Sequence, residues 1–162
     1  MAEAINAIRT MHAKDVISAK LANAYVTIGD ERYLLFQAKN LEAKFEKEKS
    51  EVAILGRTSK GNKSTGVKYT GNMTIYKNTA LFDKMLLKYK STGEDTYFDI
   101  QITNVDPTSA AGKQVTILKD CNIDGAVIAS FDADGEWLEQ DIDFTFEDVE
   151  EPTQFKMLDG MQ

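Results

Sequence analysis

Cysteine and histidine are almost missing from this chain: Cys121 and His12 stand alone in their kinds. A single cysteine forms no internal disulfide and cannot supply a cysteine-based zinc site. One imidazole makes His-rich metal centres and histidine-dependent triads poor readings as well. This usage fits a reducing compartment. No run approaches the roughly 18 apolar residues that a membrane-spanning helix requires. The N-terminus also lacks the continuous apolar core of a signal peptide, so a soluble protein inside the producing cell is expected.

Positive charge is absent from one long stretch. Residues 120–155 carry twelve acidic side chains and no Lys or Arg, a balance of −12. Residues 1–119 carry 18 basic and 13 acidic side chains, a balance of +5, while Lys156 and Asp159 cancel to leave the net −7. The chain is electrically two-ended, which bears on partners and not on fold. The acidic total argues against tight nucleic-acid binding, which needs clustered cations.

What is present suits one folded domain: 162 residues, 43% of them hydrophobic and 28% charged, enough to bury a core. An N-terminal arm over 1–15 and a single domain over 16–162 are expected. Apolar and polar residues alternate from residue 24 onward, the pattern of strands with two differently solvated faces. In 41–48, Leu41, Ala43 and Phe45 oppose Glu42, Lys44, Glu46 and Glu48. In 67–76, Val67, Tyr69, Met73 and Ile75 oppose Lys68, Thr70, Asn72 and Thr74. Phe98, Ile100 and Ile102 share a face, as do Val115, Ile117, Cys121 and Ile123. Along the last strand, Leu138, Ile142, Phe144 and Phe146 oppose a ladder of Glu139, Asp141, Asp143, Thr145 and Glu147, whose register is fixed by the cost of burying acids. Phe82, Met85, Leu86 and Tyr89 recur at helical spacing and predict one helix over about 79–91, capped by Asn78 or Thr79 and closed by Gly93. Ile5, Ile8 and Met11 mark a short helix or an arm. Long loops are predicted at 56–66 and 104–113.

Three motifs imitate functional ones. Gly56 to Ser64 approaches the phosphate-binding loop pattern, but Asn62 intrudes between the second glycine and the lysine, and a strand pattern follows where a helix is needed. A basic inter-strand loop is the better reading. Ser130 to Gly135 followed by Asp141 loosely imitates a calcium loop, with Ser at the first position and Asp in place of the bidentate Glu. A tight Asp134-Gly135 turn is preferred there. His12 has no nucleophile motif beside it, Cys121 falls on an apolar strand side, and the acidic ladder reads as a solvated sheet face. No catalytic, metal or cofactor site emerges, and no enzyme is expected.

Several blocks carry a resemblance: Leu41-Glu42-Ala43-Lys44-Phe45-Glu46-Lys47, Tyr69-Thr70-Gly71-Asn72-Met73-Thr74, Tyr97-Phe98-Asp99-Ile100-Gln101, Asn104-Val105-Asp106-Pro107-Thr108-Ser109 and Asp143-Phe144-Thr145-Phe146-Glu147-Asp148. Over roughly residues 15–150 the chain resembles the tail-tube proteins of contractile phages, a family that includes the core tail proteins of PBSX-type defective prophages. The resemblance implies a mainly β fold, an antiparallel β-sandwich or partly closed β-barrel with a flanking α-helix. It also implies a structural subunit whose hexameric rings stack head to tail into a hollow tube for DNA passage or membrane puncture. The implied partners are further copies of the chain and tail sheath, baseplate and tail-terminator proteins. DNA would pass without specific binding, and the subunit itself would not insert into a membrane. The implied location is the virion tail, reached from the host cytoplasm.

Charge segregation suits open-ended stacking through a heterologous contact. On that ground Arg57, Lys60, Lys63 and Lys68 are candidate ring-stacking contacts. A DNA-conducting channel should carry a polar, acid-rich lining. Glu42, Glu46, Asn72, Thr74, Glu139, Asp141 and Asp143, all on wet strand faces, are therefore candidate lumen residues. The rival readings are a monomeric β-barrel module binding a small ligand and an effector-delivery tube subunit of a secretion system.

Overall fold

A computed structural model describes residues 8–162. After a single 3-10 turn at Ala13–Asp15 come strands β1 (Ala22–Ile28), β2 (Glu31–Leu34), β3 (Ala38–Val52) and β4 (Gly61–Tyr76), then helix α1 (Leu81–Thr92). Strands β5 (Phe98–Val105), β6 (Lys113–Ala126), β7 (Glu139–Thr145) and β8 (Asp148–Thr153) complete the chain. All the strand pairings with assigned register are antiparallel. The fold is therefore mainly antiparallel β with one helix, and among the described residues the sheet path ends at β2 and at β3 without closing.

Two compact units share the chain, with β6 passing from the first to the second between Leu118 and Lys119. In the first, β2, β1, β5 and the start of β6 are neighbours, and β8 also pairs with β6. Ile28 pairs with Glu31, so β1 and β2 are joined by a two-residue turn whose first member, Gly29, takes φ 59. A left-handed first position is what such turns require and glycine reaches it without strain. Val26, Leu35, Ile100 and Leu118 are buried here. The loop after β5 is 106–112, shorter than predicted, and its Asp-Pro-Thr-Ser run has a structural task. The buried Asp106 carboxylate accepts the Ser18 and Thr108 amides, both at 3.0 Å, and its backbone carbonyl accepts the Ser109 amide at 3.1 Å. Of the residues marking a predicted N-terminal helix, Ile5 lies outside the described residues, while Ile8 and Met11 are exposed and precede the 3-10 turn.

In the second unit the order is β6, β7, β4, β3, with α1 alongside. Met73, Ile75, Phe82, Phe98, Cys121, Ile142 and Phe144 form its core, each at most 2% exposed. The predicted helix is present, starting at Leu81, but Ala80 sits at its N-cap and gives no side-chain bond, so neither Asn78 nor Thr79 caps it. Its other end is as foreseen: Gly93 takes φ 75 and its amide bonds the Tyr89 carbonyl at 2.8 Å. The β6 alternation changes phase. Leu118, Cys121 and Ile123 are buried whereas Val115 and Ile117 are only half-buried, because Asp120 takes φ 53 and inserts an odd step.

Candidate functional site

Strands β3 and β4 form a hairpin of unusual length. Fourteen pairs run from Ala38 opposite Ile75 to Val52 opposite Gly61, so the strand pattern consumes residues 61–66 of the predicted loop and the connection shrinks to 53–60. Only Thr70–Tyr76 of β4 also pairs with β7. The outer half, Phe45–Val52 with Gly61–Tyr69, is thus a two-stranded arm. From Glu42 to Val52 every residue is exposed. Phe45 and Val67, expected on a buried face, are 54% and 45% exposed because, among the described residues, no further strand pairs this far out on the arm. Phe45 meets Tyr69 edge-on with centroids 5.4 Å apart, and Tyr69 in turn meets Phe146 at 5.1 Å.

Side chains directly opposite across antiparallel strands point to the same face. Leu41, Met73 and Ile142 form one row on the core face, with Ala43, Gly71 and Phe144 beside them. The other face is polar. Glu42, Asn72 and Asp143 make one row, Asn40, Thr74 and Asp141 the next, and Tyr76 and Glu139 the last. All seven residues proposed for a lumen lie on this face, since Glu46 is opposite Lys68 two steps beyond Lys44 and Thr70. Thr74 Oγ1 donates to Asp141 Oδ1 at 2.7 Å, and Lys39 Nζ to Glu139 Oε1 at 2.9 Å. The Glu139 hydrogen bond and charge hold the Lys39 ammonium above its ordinary pKa. A groove of about 260 Å³ between Lys44, Glu46, Thr70, Asn72, Asp124 and Asp143 lies in the same surface.

The four basic candidates do not stay together. Arg57 and Lys60 occupy the hairpin tip, where Lys60 lies 3.7 Å from Glu51, and Lys63 follows on β4 opposite Ser50. Lys68 belongs to the polar face instead. The tip also carries apolar residues: Leu55 is fully exposed, and Val52 and Ile54 are each 40% exposed.

A polar cluster at the base of the 127–138 loop escaped the sequence reading. Lys77 Nζ donates to Asp83 Oδ2 at 2.6 Å and to the Ile128 carbonyl at 2.7 Å. The buried Gln140 donates to Asp83 Oδ1 at 2.7 Å and to the Val127 carbonyl at 2.9 Å. Burial pushes the Asp83 carboxyl pKa up, but the hydrogen bonds from Lys77 and Gln140 and the Lys77 charge outweigh it, so the group titrates below its ordinary value. The one signal in the sequence was Gln140, a polar residue on the apolar side of the last strand. Within the loop, Asp132 Oδ1 accepts the Asp134 amide at 3.0 Å and the Asp132 carbonyl accepts the Gly135 amide at 3.1 Å. The turn is therefore organised by Asp132, and Gly135 does not use the positive φ expected of it.

An open antiparallel sheet with a solvated polar face and a projecting hairpin is the build of a structural protein that meets other chains. The chain belongs to the phage tail tube protein family, whose model matches residues 9–152. It is 40% identical to the phage-like element PBSX protein XkdM of Bacillus subtilis (strain 168) over 142 residues, 88% of this chain and 94% of the relative. The fold is similar to a chain of the anti-feeding prophage baseplate, solved with six-fold symmetrisation, with a TM-score of 0.65 at 10% identity over 89% of this chain and 97% of that one. It is likewise similar to the SPP1 tail tube, with a TM-score of 0.62 at 10% identity over 88% and 81% of the two chains.

Proposed function

We propose that six copies of this chain form a ring and that rings stack head to tail into the hollow tube of a contractile phage or phage-like particle. The observation that carries this reading is the two-stranded arm. An isolated hairpin is marginal in water, and this one exposes Phe45 and Val67 on one side and charged residues on the other. Packing between copies covers those residues and protects the exposed edge of β3. The six-fold order of the anti-feeding prophage assembly supports the copy number. The polar face bearing Glu42, Glu46, Asn72, Thr74, Glu139, Asp141 and Asp143 lines the channel, where its acids keep passing DNA from adhering. The subunit acts by geometry and does no chemistry. Sheath, baseplate and terminator proteins complete the tail, which assembles in the host cytoplasm before release.

Replacing Phe45 and Val67 together with Asp tests the arm. Both side chains are largely exposed in the subunit, so stability falls by only about 1–2 kcal/mol, most of it from the Phe45–Tyr69 ring contact, while rings and tubes are lost because the arm is buried on assembly. Normal tubes from Phe45→Asp/Val67→Asp would overturn the reading.

A further inference from the structure

The second unit carries two exposed apolar clusters of opposite charge. One is the hairpin tip, where Val52, Ile54 and Leu55 accompany Arg57, Lys60 and Lys63. The other is the 127–138 loop between β6 and β7. There Phe131 is 97% exposed and Trp137 71%, and Asp132, Asp134 and Glu136 stand among them with no basic residue in the loop. Phe131, Trp137 and Leu138 border a cleft of about 390 Å³ whose rim holds Asp132, Glu136 and Glu139. The loop is organised before any partner arrives. Asp132 ties its turn, and Lys77 and Gln140 hold the Val127 and Ile128 carbonyls at its base.

The strand register puts these clusters at opposite ends of one strand. Gly61 opens β4 at the tip, whereas Tyr76 closes it opposite Glu139, the residue that follows the loop. Fifteen steps at ~3.3 Å separate the two ends by about 50 Å. That span keeps a tip from reaching the loop of its own chain. A basic apolar projection at one end and an acid-rimmed aromatic cleft at the other form the two halves of a heterologous, open-ended contact. Charge complementarity of this kind sets orientation and register, and a desolvated aromatic centre supplies most of the affinity.

We infer that the hairpin tip of one copy docks in the Phe131/Trp137 cleft of a second copy, Leu55 entering between the two aromatics and Arg57, Lys60 and Lys63 facing Asp132, Asp134 and Glu136. The inference rests on the stacked-tube reading and names the surface that receives the tip.

Two charge-reversed variants test it. One carries Arg57→Glu, Lys60→Glu and Lys63→Glu, and the other Asp134→Lys and Glu136→Lys, which leaves the Asp132 carboxylate that ties the turn in place. All five positions are exposed, so each subunit folds. Each variant alone sets like charges against each other and forms no tubes, whereas an equimolar mixture pairs acidic tips with basic loops and restores tubes in which the two alternate. Normal tubes from either variant alone, or no tubes from the mixture, would overturn the docking while wild-type tubes keep the tube reading intact. Absence of tubes from the wild type would count against the tube reading. The docking then stands or falls on a mixture of Leu55→Cys and Trp137→Cys chains under mild oxidation. A disulfide-linked heterodimer far exceeding either homodimer supports it, and no enrichment overturns it. Cys121, fully buried, stays out of that reaction.

Discussion

Replacing Gly71 with Ala puts a methyl group where the core has none to spare. Gly71 lies on β4 between Ala43 and Phe144, on the core face of the second unit. A Cβ at this position would come within 2.5 Å of Phe144 Cζ, 2.7 Å of Cε2 and 3.1 Å of the Glu42 carbonyl oxygen. The Phe144 ring is 1% exposed and has Phe146 at 6.3 Å, so it has little room to swing away. Overpacking of this sort costs about 1–3 kcal/mol. Because Gly71 does not take a positive φ, Ala returns about 0.4–1 kcal/mol by narrowing the unfolded ensemble. The net expectation is a loss of about 1–2 kcal/mol, read from the urea midpoint at unchanged m. Phe144→Leu removes the two ring atoms that clash, so the double variant should be more stable than the sum of the singles by about 1 kcal/mol. A Gly71→Ala chain within about 0.5 kcal/mol of wild type, or strict additivity in the pair, would refute the packing argument.

Three other perturbations reach different parts of the account. Asp83→Asn should cost about 1.5–3 kcal/mol at pH 7, since hydrogen bonds to a charged group are lost from the loop anchor. Asp83 titrates below its ordinary 3.8, so its contribution is complete above the unfolded-state value and fades as pH falls through the lower folded one. The gap between variant and wild type in urea melts should therefore close below about pH 4, and a gap independent of pH would contradict the assignment. Phe82→Ala empties a site that is 1% exposed and lies 6.2 Å from the Phe98 ring, for a loss of about 3–5 kcal/mol in the same assay. Glu42→Lys with Asp141→Lys and Asp143→Lys should leave tubes intact but make them retain nucleic acid, seen as co-purifying 260 nm absorbance. Intact tubes that stay free of it would place that face elsewhere.

Strand periodicity made the sheet legible because one face of β4 and β7 is wet and the other buried, so Met73, Ile75, Ile142 and Phe144 separate cleanly from Asn72, Thr74, Asp141 and Asp143. The helix was legible at its C-terminal end, where Gly93 has a required conformation, and misread at its start, where Ala80 holds the N-cap position and no side chain caps the first turn. Residues 61–66 passed for a loop because Gly61, Asn62, Lys63 and Gly66 are poor strand formers and Thr65 is the one strong one, and here cross-strand pairing with β3 decides their state. The lumen candidates share one face because a period of two fixes the side on which each residue falls, and the strand register then brings the rows together. The Lys77, Asp83 and Gln140 cluster could not be foreseen: its hydrogen bonds link positions as far as 57 residues apart, on a loop edge, a helix and a strand. The tip was visible as a basic loop and the 130–135 segment as a turn, but the apolar side chains that accompany them were not picked out, and their placement at opposite ends of β4 follows only from the pairing.

Electron microscopy of the purified wild-type chain is the most direct test of the central claim. The account predicts six-fold rings with an open centre that stack into hollow tubes as concentration rises. Particles that remain single subunits at every concentration, with no ring or tube, would contradict it.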